Sequence, residues 1–278
     1  MARHALFRFA TFSYLAFALV GSGRAVAAEV TFRLLGEGLE LAQVRLPIAS
    51  TDGDSTATVV RVDPARRPLE LFAAGAQGLR NLDARQWAAA EELAVVTNAA
   101  MFELADSRTP TGYARVGEVT LNPKWKPSYK AALVFGPDDP SLPAAAMLDA
   151  DCDDVQARAA RYRVVVQGLR MVDCAGRNTW AKSPKRWSAA LVAVDRQGRV
   201  LFIHCRSPYT MHSLIEQLLA LPLGITRAMY LEGGPEASLF VSENDHLLER
   251  IGSYETGFNE NDANARFWPV PNVLGVRR

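Results

Sequence analysis

The sequence predicts an α+β fold in which a single mixed β-sheet carries crossover helices. Short runs of apolar and β-branched residues recur between turn residues, as at 56–62 and 200–205, and such runs are typical of strands. Two segments with helical spacing of apolar residues, at 82–93 and 210–221, each lie between two such runs. The order strand, helix, strand indicates a crossover connection.

In the first half of the chain, residues 30–48 form one or two strands broken near 36–38. Asn81 or Asp83 is able to cap the first helix, whose alanines favour helical structure. Further strands are predicted at 56–62, 69–73, 95–97, 112–121 and 129–135.

In the second half, the turn sequence at 195–198 predicts an antiparallel hairpin of strands 188–194 and 200–205. Thr210 then caps a helix that carries leucines on one face, and the strand 228–231 runs parallel to 200–205 if both join one sheet. Other strands are predicted at 162–173, 247–258 and 272–276, whereas 138–160 is predicted to be a surface excursion with one helical turn.

Composition is typical of a globular protein and argues against one class of function. The chain has 278 residues, of which 49% are hydrophobic and 22% charged, so it is long enough to bury a sizeable core. The formal net charge is only +1, which argues against a dedicated nucleic-acid-binding protein because such proteins carry a basic surface.

The N-terminus has the pattern of a secretory signal peptide. Arg3 and Arg8 make a basic start, an apolar stretch covers 9–20, and small residues follow at 25–28. We therefore expect a signal peptide over 1–28 and a mature domain over 29–278 that is secreted or periplasmic. The alternative is an uncleaved anchor, although the apolar stretch is short for a membrane span. No stable membrane span is expected in the mature chain.

The mature chain keeps three cysteines. In an oxidising compartment Cys152 and Cys174 are able to pair, because they flank one predicted strand. Cys205 lies in an apolar strand and is expected to stay a buried thiol. No pair has C-x-x-C spacing, so a zinc site is not expected. No other cofactor is expected, and a metal near the acidic residues stays open although no ligand spacing indicates one.

Residues 228–238 (AMYLEGGPEAS) are the most informative stretch for function. Glu232 ends an apolar strand, and Gly233 and Gly234 begin a turn in which a ligand is able to approach the backbone closely. A carboxylate in this position is able to lie at the mouth of a cleft. The alternative is a strand followed by an ordinary turn.

The predicted topology brings several polar residues to one edge of the sheet. Arg186 precedes the first hairpin strand, Arg206 follows the second, and Glu232 ends a strand parallel to the second, while Asn98 ends the strand after the first helix. Arginine binds phosphate oxygens bidentately, and a carboxylate acts as base, acid or nucleophile at a neighbouring carbon. The alternative is that the arginines form structural ion pairs with Glu232 or Asp195.

Five segments resemble the phosphodiester glycosidases. Residues 231–238 are similar to the family segment Leu-Asp-Gly-Gly-Gly-Ser-Ser, with Glu232 in place of the usual Asp and Pro235 in place of a glycine. The other segments are 97–102 (TNAAMF), 165–168 (VVQG), 186–190 (RWSAA) and 272–276 (NVLGV), so the likeness covers about 95–276.

The resemblance implies a phosphodiester-glycosidase-like fold and a secreted hydrolase that cuts the bond between sugar C1 and a phosphodiester oxygen. Arg186 and Arg206 would hold the phosphate, and Glu232 would act at the anomeric carbon as base for water or as nucleophile. Asn98 and Gln167 would bind sugar hydroxyls. The predicted binding positions are Asn98, Gln167, Arg206, Gly233, Gly234 and Ser238.

Two other functions remain open from the sequence. The substitutions at 232 and 235 favour a non-catalytic binding protein for anionic cell-envelope glycans on the same fold. An ordinary glycosidase is the other, and it needs a second carboxylate near Glu232, for which Glu103, Asp106 and Glu118 are candidates.

Overall fold

The computed structural model describes Met1 and residues 29–78, 80–103 and 105–278. Residues 2–28, which make up nearly all of the predicted signal peptide, lie outside the described residues. Among the described helices, none is long and apolar enough to cross a membrane.

Sixteen strands and four short helices are described. The strands are β1 (Arg33–Gly36), β2 (Leu39–Arg45), β3 (Thr56–Val62), β4 (Leu69–Ala73), β5 (Leu93–Asn98), β6 (Ala114–Val116), β7 (Val119–Asn122), β8 (Lys130–Pro137), β9 (Ala145–Asp149), β10 (Tyr162–Val172), β11 (Trp187–Asp195), β12 (Val200–Tyr209), β13 (Ile225–Gly233), β14 (Ser238–Glu243), β15 (His246–Ile251) and β16 (Asn272–Arg277). The helices are α1 (Ala74–Gln77), α2 (Ala84–Ala90), α3 (Val155–Ala159) and α4 (Met211–Ala220).

The strands form two sheets, so the predicted single sheet is wrong. The large sheet has the order β1-β2-β3-β12-β11-β13-β10-β6-β7, with β8 on β10 and β9 on β8, and the small sheet has the order β15-β14-β5-β16-β4. Every described strand pair is antiparallel, so the sheets are not mixed either. Local periodicity identifies strands, but partners such as β5 and β16 lie far apart in sequence.

Two helices connect strands that run in the same direction but are not neighbours. In the large sheet α4 connects β12 to β13, and β11 lies between them antiparallel to both. In the small sheet α2 connects β4 to β5 across β16. β12 and β13 therefore run in the same direction, as expected, but β11 lies between them.

Both helices begin at the caps that the sequence predicts. The Thr210 hydroxyl accepts a hydrogen bond from the Ser213 N–H at 3.2 Å, which starts α4. Asp83 and Gln86 form a reciprocal capping box at α2. The apolar face of α4, including Leu214 and Leu218, packs on the large sheet.

The main core lies between the two sheets. It joins residues of the large sheet such as Val192 and Phe202 with residues of the small sheet such as Val95 and Leu239. A second cluster on the opposite face of the large sheet contains Leu191 and Ile203 together with α4. The central strands of the large sheet are thus buried on both faces, as their continuous apolar runs predict.

Three segments differ from the sequence prediction. The stretch 138–160 contains β9 and α3 instead of an irregular excursion, and β14 follows directly after the Gly233 turn. The strand predicted over 247–258 ends at Ile251. Residues 252–258 leave the small sheet. A β-bridge between Glu255 and Trp187 joins them to the start of β11 in the large sheet.

The cysteines behave as the sequence predicts. Cys152 and Cys174 form a disulfide with their Cα atoms 6.6 Å apart, and Cys205 is a buried free thiol.

Candidate active site

The ends of three neighbouring strands meet at one edge of the large sheet. Ala189 of β11 lies between Cys205 of β12 and Gly233 of β13. Arg206 follows Cys205 on β12, and Glu232 precedes Gly233 on β13, so both lie one residue from the position of Ala189. Arg186 immediately precedes β11. The topology brings these three predicted residues to one edge, although it does not bring their charged groups into contact.

Glu232 is half-buried and has no cationic partner. Its carboxylate accepts a hydrogen bond from the Gly233 N–H at 3.0 Å. Across the described part of the chain, no Lys, Arg or His nitrogen lies within ion-pairing distance of it. Burial raises the pKa of Glu232 to about 8, and the charges of Glu236 and Glu255 also raise it.

Glu236 and Glu255 are two further half-buried carboxylates near Glu232. Burial raises the pKa of Glu236 to about 7, and the charge of Glu255 adds to the effect. Burial also raises the pKa of Glu255, against the opposing charge of Lys185. Neither carboxylate forms an ion pair with any described residue, so the three glutamates make an acidic group in which burial raises the pKa of each member.

Arg186 carries a charge that no described carboxylate neutralises. Its Nη1 donates to the Thr51 hydroxyl at 2.7 Å, and its guanidinium lies 5.6 Å from the ring of Tyr254. The alternative of a structural ion pair with Glu232 or Asp195 is absent among the described residues, and Asp195 pairs with Arg199 instead.

Arg206 holds the segment 251–264. Its Nε pairs with Asp262 at 2.7 Å, and its other nitrogens donate to the backbone carbonyls of Ile251, Asp262 and Asn264. Most of its donors are therefore used within the protein. Its predicted contact with phosphate stays a prediction.

Asn98 and Ser238 form a buried polar contact where β5 and β14 meet. The Asn98 Oδ1 accepts from the Ser238 N–H at 2.9 Å, and the Nδ2 of Asn98 has no partner among the described residues. Both side chains are 1% exposed. The Asn98 Nδ2 is therefore a hydrogen-bond donor left free by the described residues, close to the turn that precedes β14, and it is buried from solvent.

Gln167 holds the loop between β7 and β8. Its Oε1 accepts from the backbone N–H groups of Tyr113 and Lys126, and its Nε2 donates to the Lys126 carbonyl at 2.8 Å. These contacts explain why Gln167 is buried. Its predicted contact with a sugar hydroxyl stays a prediction.

The glycines of the turn are required by close neighbours. A β-carbon on Gly233 would collide with the Tyr230 hydroxyl and the Trp187 indole. Gly234 has a φ of 61°, and a β-carbon there would collide with the Glu255 carboxylate. Backbone, aromatic rings and carboxylate are thus packed closely at this turn.

Three aromatic residues form one wall beside Gly233. The ring centroids of Trp180 and Tyr230 are 5.5 Å apart, and those of Trp187 and Tyr230 are 6.5 Å apart. The indole Nε1 of Trp187 is buried and has no partner among the described residues. Aromatic faces next to carboxylates suit the binding of a sugar ring, which has apolar and polar surfaces.

Sequence reasoning missed Glu236, Glu255 and Tyr230. Glu236 and Tyr230 lie within the stretch 228–238, so their position next to Glu232 was visible. Their burial was not, because it depends on residues distant in sequence: Tyr230 packs against Trp180 and Trp187, and Glu255 lies against Gly234.

The other candidate carboxylates of the sequence have partners of their own or lie in exposed turns. Glu103 pairs with Lys126 at 3.5 Å, Asp106 accepts from the Thr109 hydroxyl at 2.7 Å, and Glu118 is exposed between β6 and β7. A surface depression of about 620 Å³ lies between α2 and residues 265–269, and it contains none of the predicted site residues.

Comparisons with known proteins identify a family for most of the chain. A sequence model of the phosphodiester glycosidase family matches residues 91–277, which is well over half of the chain. No curated protein matches the sequence.

Two solved structures are similar in fold. One is a hypothetical protein from Synechocystis, with a TM-score of 0.63 and 14% identity over 91% of this chain and 64% of that chain. The other is the zebrafish N-acetylglucosamine-1-phosphodiester alpha-N-acetylglucosaminidase catalytic domain, auto-inhibited by its pro-peptide. Its TM-score is 0.58, with 12% identity over 90% of this chain and 88% of that chain.

Proposed function

Because this chain belongs to the phosphodiester glycosidase family, we propose that it is a secreted hydrolase of sugar 1-phosphodiesters. The reaction would cut the bond between sugar C1 and the phosphodiester oxygen and release a free sugar and a phosphate monoester. An N-acetylglucosamine-1-phospho-linked glycan is one such substrate, and the name of the zebrafish enzyme supports testing it first. The predicted signal peptide supports secretion.

The half-buried Glu232, which no described cation neutralises, is the observation that carries the proposal. A buried carboxylate without a cation destabilises a folded protein and is common where a catalytic group needs a raised pKa. Arg186, which immediately precedes β11, has a guanidinium without a carboxylate partner among the described residues. The two groups supply the base and the phosphate contact that this reaction needs.

In the proposed mechanism, water attacks C1 while Glu232 takes one of its protons. The electron pair of the C1–O bond passes to the phosphate oxygen, and Arg186 stabilises the charge that develops there. Glu232 acting instead as nucleophile would require the same ionised form. The phosphate monoester is a good leaving group, so its oxygen does not need a proton from the enzyme.

The proton on Glu232 also reduces repulsion of the substrate. In the unliganded protein the raised pKa keeps Glu232 largely protonated at pH 7, so the anionic phosphodiester meets less negative charge. Arg206, Asn98, Gln167 and Ser238 remain proposed contacts to phosphate or sugar.

An assay of the mature protein on a panel of sugar 1-phosphodiesters tests this function. We expect release of free sugar by the wild type, with kcat/KM rising toward pH 8 as Glu232 ionises. Glu232→Gln should lower kcat by about 100-fold or more, because the substitution removes the base. Arg186→Ala should lower kcat/KM by about 10-fold or more, because it removes a charge-assisted contact to phosphate.

Glu118→Gln is the matched control, since it makes the same change at an exposed carboxylate. It should leave the rate and the melting temperature unchanged. A Glu232→Gln protein with full activity would rule out the proposed role of Glu232. Binding of glycan phosphodiesters without release of sugar would instead favour the non-catalytic binding protein.

A further inference from the structure

A loop from the N-terminal part of the chain reaches Arg186. Residues 49–55 belong to the connection between β2 and β3, and they lie outside the residues 91–277 that match the family. The Thr51 hydroxyl of this loop accepts a hydrogen bond from Nη1 of Arg186 at 2.7 Å. Among the described residues no other group accepts a hydrogen bond from the Arg186 guanidinium. The loop therefore contacts the side chain that is proposed to bind phosphate.

Thr51 links Arg186 to a carboxylate. Because a guanidinium only donates hydrogen bonds, the Thr51 oxygen accepts from Arg186 and its own proton is left for another acceptor. That acceptor is Oδ2 of Asp52, at 2.7 Å from the Thr51 hydroxyl oxygen. The direction of both hydrogen bonds is thus fixed, and the negative charge of Asp52 acts on Arg186 through the hydroxyl between them.

A hydroxyl suits this position better than a carboxylate in direct contact. A carboxylate binds the guanidinium fork bidentately, so it would occupy the nitrogens that a phosphate needs. The Thr51 hydroxyl takes only one N–H of Arg186. The other N–H groups of the guanidinium stay available for the oxygens of a phosphate.

The loop is fixed against the end of β12. The Ser55 N–H donates to Oγ of the buried Ser207 at 2.7 Å, and the Ser55 Oγ accepts from the Ser50 N–H at 2.9 Å. Ser55 has a φ of 57°, a left-handed conformation that is uncommon for a residue with a side chain. Gly53 is also left-handed, and a β-carbon there would collide with the Ser207 hydroxyl. These contacts hold Thr51 in one place before any ligand binds.

The backbone of Arg186 is held by a different segment. Its N–H donates to Oγ1 of Thr256 at 3.0 Å, and its carbonyl accepts from the Thr256 N–H at 3.0 Å. The ring of Tyr254 lies 5.6 Å from the guanidinium. Thr256 therefore fixes where the side chain begins, and Thr51 fixes where its terminal nitrogens lie.

Resting on the proposed function, we infer that Thr51 and Asp52 are positioning residues that orient Arg186 toward the phosphate of the substrate. They act through the guanidinium and do not need to touch the substrate themselves. The loop 49–55 is then part of the phosphate site, although it lies outside the residues that match the family.

A double-mutant cycle on a sugar 1-phosphodiester tests this role. Thr51→Val should lower kcat/KM by about 5-fold, because it removes the acceptor of the guanidinium hydrogen bond. The same change in an Arg186→Ala protein should have almost no further effect, because no guanidinium is left to orient. Thr51→Ser keeps the hydroxyl and should retain the wild-type value. Asp52→Asn should lower kcat/KM by about 2-fold, because a neutral amide is a weaker acceptor for the Thr51 hydroxyl. Thr120→Val is the matched control, since Thr120 is exposed on β7 at the far edge of the large sheet.

The outcomes separate the two proposals. If the wild type cleaves the phosphodiester, full activity of Thr51→Val, or an equal loss with and without Arg186, would overturn the inference and leave the proposed function standing. If the wild type releases no sugar from any phosphodiester, the proposed function is contradicted, and the same cycle is measured as affinity for inorganic phosphate by calorimetric titration. Loss of phosphate affinity in Thr51→Val that disappears in Arg186→Ala would then still support the positioning role. Additive losses, or no phosphate binding by the wild type, would overturn it.

Discussion

Two acidic regions of this protein differ in their counter-charges. Near the disulfide, Asp151 pairs with Lys130 and Arg170, and Asp153 pairs with Arg158 and Arg227. At the Gly233 turn, no described cation pairs with any of the three glutamates, Glu232, Glu236 and Glu255.

The difference appears in the direction of the pKa shifts. Burial alone would raise the pKa of Asp153, but the Asp149 N–H and the guanidinium groups of Arg227 and Arg158 hold it below its usual value. The pKa of Glu232 is instead raised to about 8. Paired carboxylates stabilise the fold as permanent anions, whereas unpaired ones keep protons that a reaction is able to use.

Removing a paired carboxylate should produce the largest loss of stability. Asp153→Ala leaves two arginines facing a nearly buried site, so the free energy of unfolding should fall by about 3 kcal/mol. Urea denaturation measures it. Asp151→Ala removes an exposed partner in the same region and should lower the free energy of unfolding far less, because solvent screens that ion pair. Equal losses in the two variants would contradict the contrast between buried and exposed ion pairs.

The two regions should shape opposite limbs of the stability curve against pH. Glu232 and Glu236 have folded pKa values above the usual 4.5, so their favourable contribution is full below pH 4.5 and is lost between about pH 4.5 and 8. Each retained proton changes the free energy by up to about 1.4 kcal/mol per pH unit. Asp153 has a lowered pKa, so its contribution is present above its usual pKa and is lost as the pH falls through the folded value.

Denaturation at a series of pH values measures both limbs. Glu232→Gln should flatten the limb between pH 4.5 and 8, and Asp153→Asn should flatten the acid limb. A wild-type curve with no slope above pH 4.5 would show that the glutamates keep no protons.

Local sequence patterns predicted most strands of this fold but not their partners. The turn residues at 195–198 predicted the β11–β12 hairpin because its strands are adjacent in the chain. The pairing of β16 with β4 and β5 depends on contacts between residues 175 to 207 positions apart in the chain, which no local pattern records. The second sheet was therefore missed although its strands, apart from β14, were mostly predicted.

The placement of the candidate site residues was predicted in part. The sequence placed Glu232 and Arg186 at one end of the large sheet because strand ends and turns lie there, and their roles stay a prediction. Glu255 was missed because its burial arises when residues 252–256 leave β15 and fold against Trp187. The contacts of Arg206 with that same segment were also invisible, since a guanidinium suits a phosphate and a backbone carbonyl equally well.

The most direct test of the contrast is an NMR titration of the glutamate side-chain carboxyl carbons, with Glu232→Gln used to assign the signal. We predict one glutamate carbon that titrates near pH 8 in the wild type and is absent from Glu232→Gln. Titration of Glu232 near its usual value of 4.5 would contradict the account, because Glu232 would then hold no proton at neutral pH.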